Sequence, residues 1–221
     1  MEIVVRERSL FEKWSQTCPD LVCDGVVDGQ AYLEADPQVL LVLKEVNDKN
    51  GGGWDLRKFI RNGARGQTWN NVTRWMTGIR NLDRDLPWSE VKKVDVTDRR
   101  EKLRSLCVMN LKKSPGGTSS NAKEIHAAAL KYRSLINSQF NLYNPDLVIC
   151  GGTAKTFSTV INYGRDLDWK RTRRGVRYCE PVPGQHIVDY FHPQARYRAS
   201  MLYYCLVDAV RELNYHRLEV G

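Results

Sequence analysis

The sequence predicts an α/β protein, because short apolar runs alternate with longer segments of helical periodicity. The first run, Val39–Leu43, is continuously apolar and too short for a buried helix. Similar runs occupy residues 106–109, 147–150 and 187–188. Apolar runs without polar alternation are typical of strands covered on both faces, as in a parallel sheet. We therefore expect a mainly parallel sheet of four strands.

Each of these runs ends in a polar segment. The segments are 44–48, 110–112, 151–153 and the tetrapeptide Phe191-His192-Pro193-Gln194. Pro193 disfavours a helical conformation at His192, so the imidazole is expected at a turn between the last strand and a helix over 196–213. Open α/β sheets bind ligands at the carboxyl ends of their strands. The four segments therefore form one predicted site.

These segments resemble the motifs of the uracil-DNA glycosylase superfamily. In that superfamily the first motif follows the first strand, a central strand ends in a base-reading asparagine, and the last motif begins His-Pro. Asn110, the segment 145–157 and His192-Pro193 fit this pattern, and the likeness covers roughly residues 38–213. It implies a three-layer α/β/α fold around a central four-stranded sheet. The whole chain, 1–221, would be one glycosylase domain, in which 1–37 form an N-terminal helix and lead-in.

The resemblance also implies site residues and a reaction, the hydrolysis of the N-glycosidic bond of a flipped pyrimidine in DNA. His192 would donate a hydrogen bond to the departing base, and Asn110 would read the base edge, with Asp48 and Lys112 beside it. The group that handles the water is expected among Glu45, Asn47 and Asp48, with Glu45 the first candidate and Asn47 the second. No cofactor is expected.

The first motif departs from the usual forms of the superfamily. Lys44 replaces a glycine, and Asp48 stands where an aromatic residue would close the pocket to bulky 5-substituents. The departure favours a base larger than uracil. Some members of the superfamily act in antiphage defence and excise modified cytosines, including the glucosylated hydroxymethylcytosine of phage DNA, and this chain resembles such a divergent member. A uracil-DNA glycosylase of base excision repair remains an alternative, as do a lyase using Lys44 or Lys112 and a DNA-binding module without catalysis.

The charge balance favours DNA as the partner. Lysine and arginine number 34 against 26 acidic residues, which gives a formal net charge of +8. The alternative is a basic surface that only keeps the protein in solution. The candidate DNA contacts lie in a glycine triplet, a polar turn, a basic hairpin and the His-Pro turn: Gly51, Gly52, Gly53, Ser114, Arg171, Arg173, Arg174, Gln194 and Arg196.

Three further features of the sequence predict structure or location and no specific chemistry. Helical segments are expected at 54–61 and 68–79, and Thr68 is expected to cap the second. Trp69 and Trp75 fall on one side of the second helix, and we expect them to pack in the core, with stacking on bases as the alternative. The six cysteines are scattered, and only Cys18 and Cys23 lie near each other, so we expect reduced thiols and no metal site. With no apolar signal or membrane segment, a cytosolic monomer is expected.

Overall fold

The computed structural model describes residues 2–49 and 51–218, and these ranges contain ten helices and seven strands. Met1, Asn50 and residues 219–221, which the predicted domain includes, lie outside the described residues. The helices are α1 (Glu2–Ser15), α2 (Gly29–Leu33), α3 (Leu56–Arg61), α4 (Gln67–Ile79), α5 (Trp88–Val91), α6 (Val96–Lys102), α7 (Ala122–Lys131), α8 (Arg133–Tyr143), α9 (Ala154–Val160) and α10 (Ala199–Leu218). The strands are β1 (Gly25–Val26), β2 (Val39–Leu43), β3 (Leu106–Asn110), β4 (Leu147–Gly151), β5 (Lys170–Arg171), β6 (Arg177–Val182) and β7 (Gln185–Tyr190).

All seven strands form one mixed sheet in the order β1-β3-β2-β4-β7-β6-β5. The prediction of an α/β fold is confirmed, but the prediction of a four-stranded sheet is wrong. The four predicted strands, β3, β2, β4 and β7, are parallel to one another. The sheet is larger because β1 adds antiparallel to β3 and the β5–β6 hairpin adds antiparallel beyond β7. Strands as short as the two-residue β1 and β5 leave no apolar run in the sequence.

The helices cover both faces of the sheet, because alternate side chains of each buried strand point in opposite directions. On one face, Leu40 and Val42 of β2 belong to a core cluster built with α1, α7, α8 and α9. On the other face, Val39, Leu41 and Leu43 belong to a cluster built with α3, α4 and α10. Double coverage explains why the strands are continuously apolar.

Within the described ranges, every helix is either too short or too polar to cross a membrane.

Candidate active site

The polar segments that follow the parallel strands begin side by side. Leu43 is the register partner of Asn110, and Gly151 is the partner of Tyr190, so the four strands end at one edge of the sheet. The backbone pairing of β2 and β3 continues beyond the strands, since Lys112 N–H donates to the Lys44 carbonyl at 2.9 Å. Parallel pairing thus brings the 44–48 and 110–116 segments together.

A cavity of about 430 Å³ opens at this edge. Six of the predicted site residues line it: Glu45, Asn47, Asp48, Asn110, His192 and Gln194. A second cavity of about 270 Å³ shares Glu45, Asn47, His192 and Gln194 with the first and adds Lys44, Thr118 and Ser120. Residues far apart in the sequence therefore surround one cleft.

His192 is held as a neutral hydrogen-bond donor. The backbone N–H of Gln194 donates to its Nδ1 at 3.1 Å, so the proton of the neutral ring is on Nε2. Burial, followed by the positive charge of Lys44, lowers the pKa of His192 to about 4. At neutral pH the imidazole can donate from Nε2 without being a strong acid.

The His-Pro turn is fixed from a distant helix. The amide of Asn71 in α4 donates to the Pro193 carbonyl at 2.7 Å, and the Asn71 side chain is itself held by Arg74 at 2.7 Å. Asn71 is 1% exposed, so this bond is shielded from water. The sequence pattern gave no role to Asn71, because only the tertiary fold brings α4 to the turn.

Glu45 is a buried carboxylate whose position is set by Lys112. Lys112 Nζ donates to Glu45 Oε2 and to the Pro115 carbonyl, and only 5% of the Glu45 side chain is exposed. A Cβ on Gly116 would lie 2.0 Å from the Glu45 carboxyl carbon, so only glycine allows this close approach. Lys112, predicted to bind the base, is instead placed against Glu45 and lines neither of the two cavities.

Asn110, the last residue of β3, is 2% exposed and lines the larger cavity. Its backbone N–H and side-chain Nδ2 both donate to Asp24 Oδ2, at 2.7 Å and 3.3 Å. Its Oδ1 is buried and has no hydrogen-bond partner among the described residues. A buried polar atom without a partner is costly, so an acceptor of this kind on a cavity wall suits a ligand that donates.

No family model matches the chain, and a search of the curated proteins finds no match.

The two other residues of the first motif differ in their surroundings. Asp48 accepts a hydrogen bond from Trp54 Nε1 at 2.8 Å, and this bond ties its carboxylate to the cavity wall. Asn47 is exposed at the mouth of both cavities, and no hydrogen bond of its side chain occurs in the described part of the chain. Of the three candidates for handling water, Glu45 is the one whose side chain is held by an ion pair.

Part of the cavity wall comes from residues 54–69, for which a binding role was not the first expectation. Trp54, Phe59, Thr68 and Trp69 line the larger cavity, with Arg65 among them. Thr68 does not cap α4, whose N-cap is Gly66 with no side-chain bond. Trp69 does pack in the core and is 7% exposed, but it also faces the cavity. The lining of the cavity therefore combines aromatic and polar side chains.

The predicted DNA contacts are spread around this cleft. Arg171 and Arg174 line a third cavity, of about 460 Å³, together with His192. Arg173 and Arg196 are exposed, and Ser114 is half-buried in the segment that follows β3. The glycine triplet lies outside the two main cavities, in the loop where the Gly51 N–H donates to the Asp48 carbonyl at 3.0 Å.

The combined arrangement provides a neutral donor, a buried carboxylate and an amide around one space. A leaving group that gains negative charge is stabilised by a fixed N–H donor, and a carboxylate can orient and deprotonate water. Such a set suits the hydrolysis of a bond to a planar, hydrogen-bonding leaving group.

Proposed function

We propose that this chain is a monofunctional DNA glycosylase that removes a modified pyrimidine and leaves an abasic site. One observation carries the proposal: Glu45, Asn110 and His192 line the same cavity of about 430 Å³ at the ends of parallel strands. The superfamily resemblance assigns base recognition to Asn110 and stabilisation of the leaving group to His192, and Glu45 is the first of the three candidates for handling the water.

His192 would stabilise the departing base. As the C1′–N bond breaks, its electron pair moves onto the base, and negative charge develops on the base oxygens. The Nε2–H of a neutral imidazole would hydrogen-bond one of these oxygens. The low pKa of His192, about 4, keeps the ring from being an imidazolium at neutral pH.

Glu45 would activate the attacking water. Its carboxylate would take a proton from a water whose oxygen bonds to C1′. Lys112 fixes one carboxylate oxygen by a charge-assisted hydrogen bond, which orients the group before the substrate arrives. The same contacts engage Lys112 Nζ, which donates to Glu45 and to the Pro115 carbonyl, so Lys112 is a poor candidate for the amine nucleophile of a lyase.

The size and composition of the cleft support a base larger than uracil. The cavity of about 430 Å³ lies within the range of roughly 300–1,000 Å³ typical of small-molecule sites, and it shares four lining residues with a second polar cavity. Lys44, Thr118 and Ser120 there offer hydrogen bonds to sugar hydroxyls or to a phosphate. A glucosylated hydroxymethylcytosine would use both spaces, and its removal from phage DNA would serve antiphage defence.

An assay on a panel of duplexes tests the proposal. The duplexes contain uracil, 5-hydroxymethylcytosine or its glucosylated form, and abasic sites are scored as strand breaks after alkali. Breaks at the glucosylated base are expected. Release of uracil alone would instead point to a repair enzyme, and DNA binding without any breaks would point to a binding module. Trapping of a covalent adduct with borohydride would indicate a lyase.

A further inference from the structure

A buried ion pair lies directly behind the base-reading asparagine. Lys113 Nζ is 2.7 Å from both carboxylate oxygens of Asp24, and both side chains are 0% exposed. Gln139 donates to the same carboxylate at 2.7 Å. Buried ion pairs often add nothing to stability compared with apolar residues of similar size. The pair therefore calls for a role besides folding.

Asp24 determines which way the side-chain amide of Asn110 points. With donors on its oxygens from Lys113, Gln139 and the Asn110 backbone, Asp24 acts only as an acceptor. The side-chain atom of Asn110 that faces it must then be the amide nitrogen. The carbonyl oxygen Oδ1 consequently lies on the other side of the amide, where it has no partner among the described residues.

The orientation of this amide matters for pyrimidines because two classes present opposite patterns. A 4-amino pyrimidine has a donor at N4 and an acceptor at N3, whereas a 4-oxo pyrimidine has an acceptor at O4 and a donor at N3. A freely rotating amide can match either edge. A fixed amide matches one edge and places like groups against the other.

We propose that Asp24 is a positioning residue that fixes the Asn110 amide and thereby makes the site discriminate between 4-amino and 4-oxo pyrimidines. This inference rests on the proposed glycosylase function. It concerns selectivity, while the proposed function concerns base release itself, so the two can fail separately.

The test compares two bases that differ only at position 4. Single-turnover rates of base release are measured on duplexes containing glucosylated 5-hydroxymethylcytosine or glucosylated 5-hydroxymethyluracil. The wild type is expected to release the cytosine derivative, the substrate of the proposed function, about 100-fold faster or more, because a mismatched buried edge leaves polar groups unpaired. In the double variant Asp24→Asn/Lys113→Met the ion pair is replaced by a neutral pair, and the preference should fall below about tenfold.

A double-mutant cycle that combines the Asp24→Asn/Lys113→Met change with Asn110→Ala tells whether Asp24 acts by positioning Asn110 or only by stabilising the fold. If Asp24 acts through Asn110, the triple variant releases both bases at the rates of Asn110→Ala alone. A wild-type preference that persists in the double variant would overturn the inference, as would a further loss in the triple variant. Absence of base release by the wild type from every duplex would overturn the proposed function and this inference with it.

A measurement on the wild type covers the case in which the double variant does not fold. The side-chain amide signal of Asn110 in ¹⁵N spectra is assigned by its loss in Asn110→Ala. Because this amide is buried and bonded to Asp24, its protons should exchange with solvent much more slowly than those of exposed asparagines such as Asn47. Equally fast exchange would overturn the inference.

Discussion

The strand-end cluster and the basic hairpin are both predicted to meet DNA, but they are built differently. In the strand-end cluster, defined by Glu45, Asn110 and His192, each side chain has either a backbone partner or a side-chain partner that is at most 15% exposed. In the basic hairpin, defined by residues 170–177, Arg171 and Arg174 are exposed, and Arg174 pairs with Asp208 at the surface. One region fixes its polar groups, and the other presents long cationic side chains to solvent.

This contrast separates two kinds of contribution. Groups fixed before the substrate binds can stabilise a transition state without reorganising, so their loss should reduce the rate of the chemical step. Exposed arginines contribute charge whose effect is spread over the surface and screened by salt. Their loss should reduce affinity. The following variants challenge this division.

Glu45→Gln should have the largest effect. The substitution keeps the shape of the side chain and a hydrogen bond from Lys112, but it removes the base that takes a proton from water. We expect the single-turnover rate of base release to fall by roughly 10³-fold, within the range of general base catalysis. DNA affinity, measured by fluorescence anisotropy, should stay unchanged.

The matched control is Glu101→Gln, which alters an exposed carboxylate on α6. It should leave both rate and affinity unchanged. If Glu45→Gln releases the base at the wild-type rate, Glu45 does not activate the water, and Asn47 becomes the candidate.

His192→Ala should reduce the rate by about 10²-fold, as the loss of one donor to a developing anion usually does. DNA binding should survive, because His192 contributes no charge at neutral pH. His126→Gln, a change on α7, is the control and should have no effect. Weaker DNA binding with an unchanged rate of base release would mean that His192 contributes to affinity, as the hairpin arginines are expected to, and not to the chemical step.

The residues that sequence analysis identified lie at the carboxyl ends of strands or within two residues of them. Glu45, Asn110 and His192 could be predicted because parallel strands bring their carboxyl ends together whatever the details of packing. The residues that hold them could not. Asp24 is 86 positions from Asn110, and Asn71 is 122 positions from Pro193, so only the three-dimensional fold pairs them.

The extent of the sheet and the aromatic wall escaped prediction for related reasons. β1 and β5 have two residues each and take their place from the neighbouring strand, not from an apolar pattern of their own. Trp69 was predicted as a core residue. A helix that packs on the sheet and also borders a cavity has the same apolar periodicity as a helix that is packed along its whole length, so the sequence pattern cannot distinguish them.

The burial of His192 should also make the free energy of unfolding depend on pH. Its pKa is lowered from 6.5 to about 4 in the folded protein, so the folded state binds fewer protons than the unfolded state between these values. The resulting contribution to the free energy of unfolding is complete above pH 6.5 and is lost as the pH falls towards 4. It should amount to about 2–3 kcal/mol.

Urea unfolding of the wild type and of His192→Gln at pH 7 and pH 4 measures this contribution, because other titrating groups cancel in the comparison. The wild type should lose more stability than the variant on acidification. Equal losses would mean that the imidazole is not buried against protonation and that the strand-end cluster is less shielded than the structure indicates.

The smallest effect is expected from the basic hairpin. Replacing Arg171 and Arg174 together by alanine should weaken DNA binding by about tenfold at physiological salt and lower the salt slope of the binding constant by about 2. The rate at saturating protein should not change, because neither guanidinium belongs to the strand-end cluster. Arg6→Ala/Arg8→Ala, which removes the same charge from α1, controls for net charge and should weaken binding less. A normal affinity with a reduced rate would show that the hairpin acts on the chemical step through the cavity it shares with His192, and the division between fixed and exposed regions would fail.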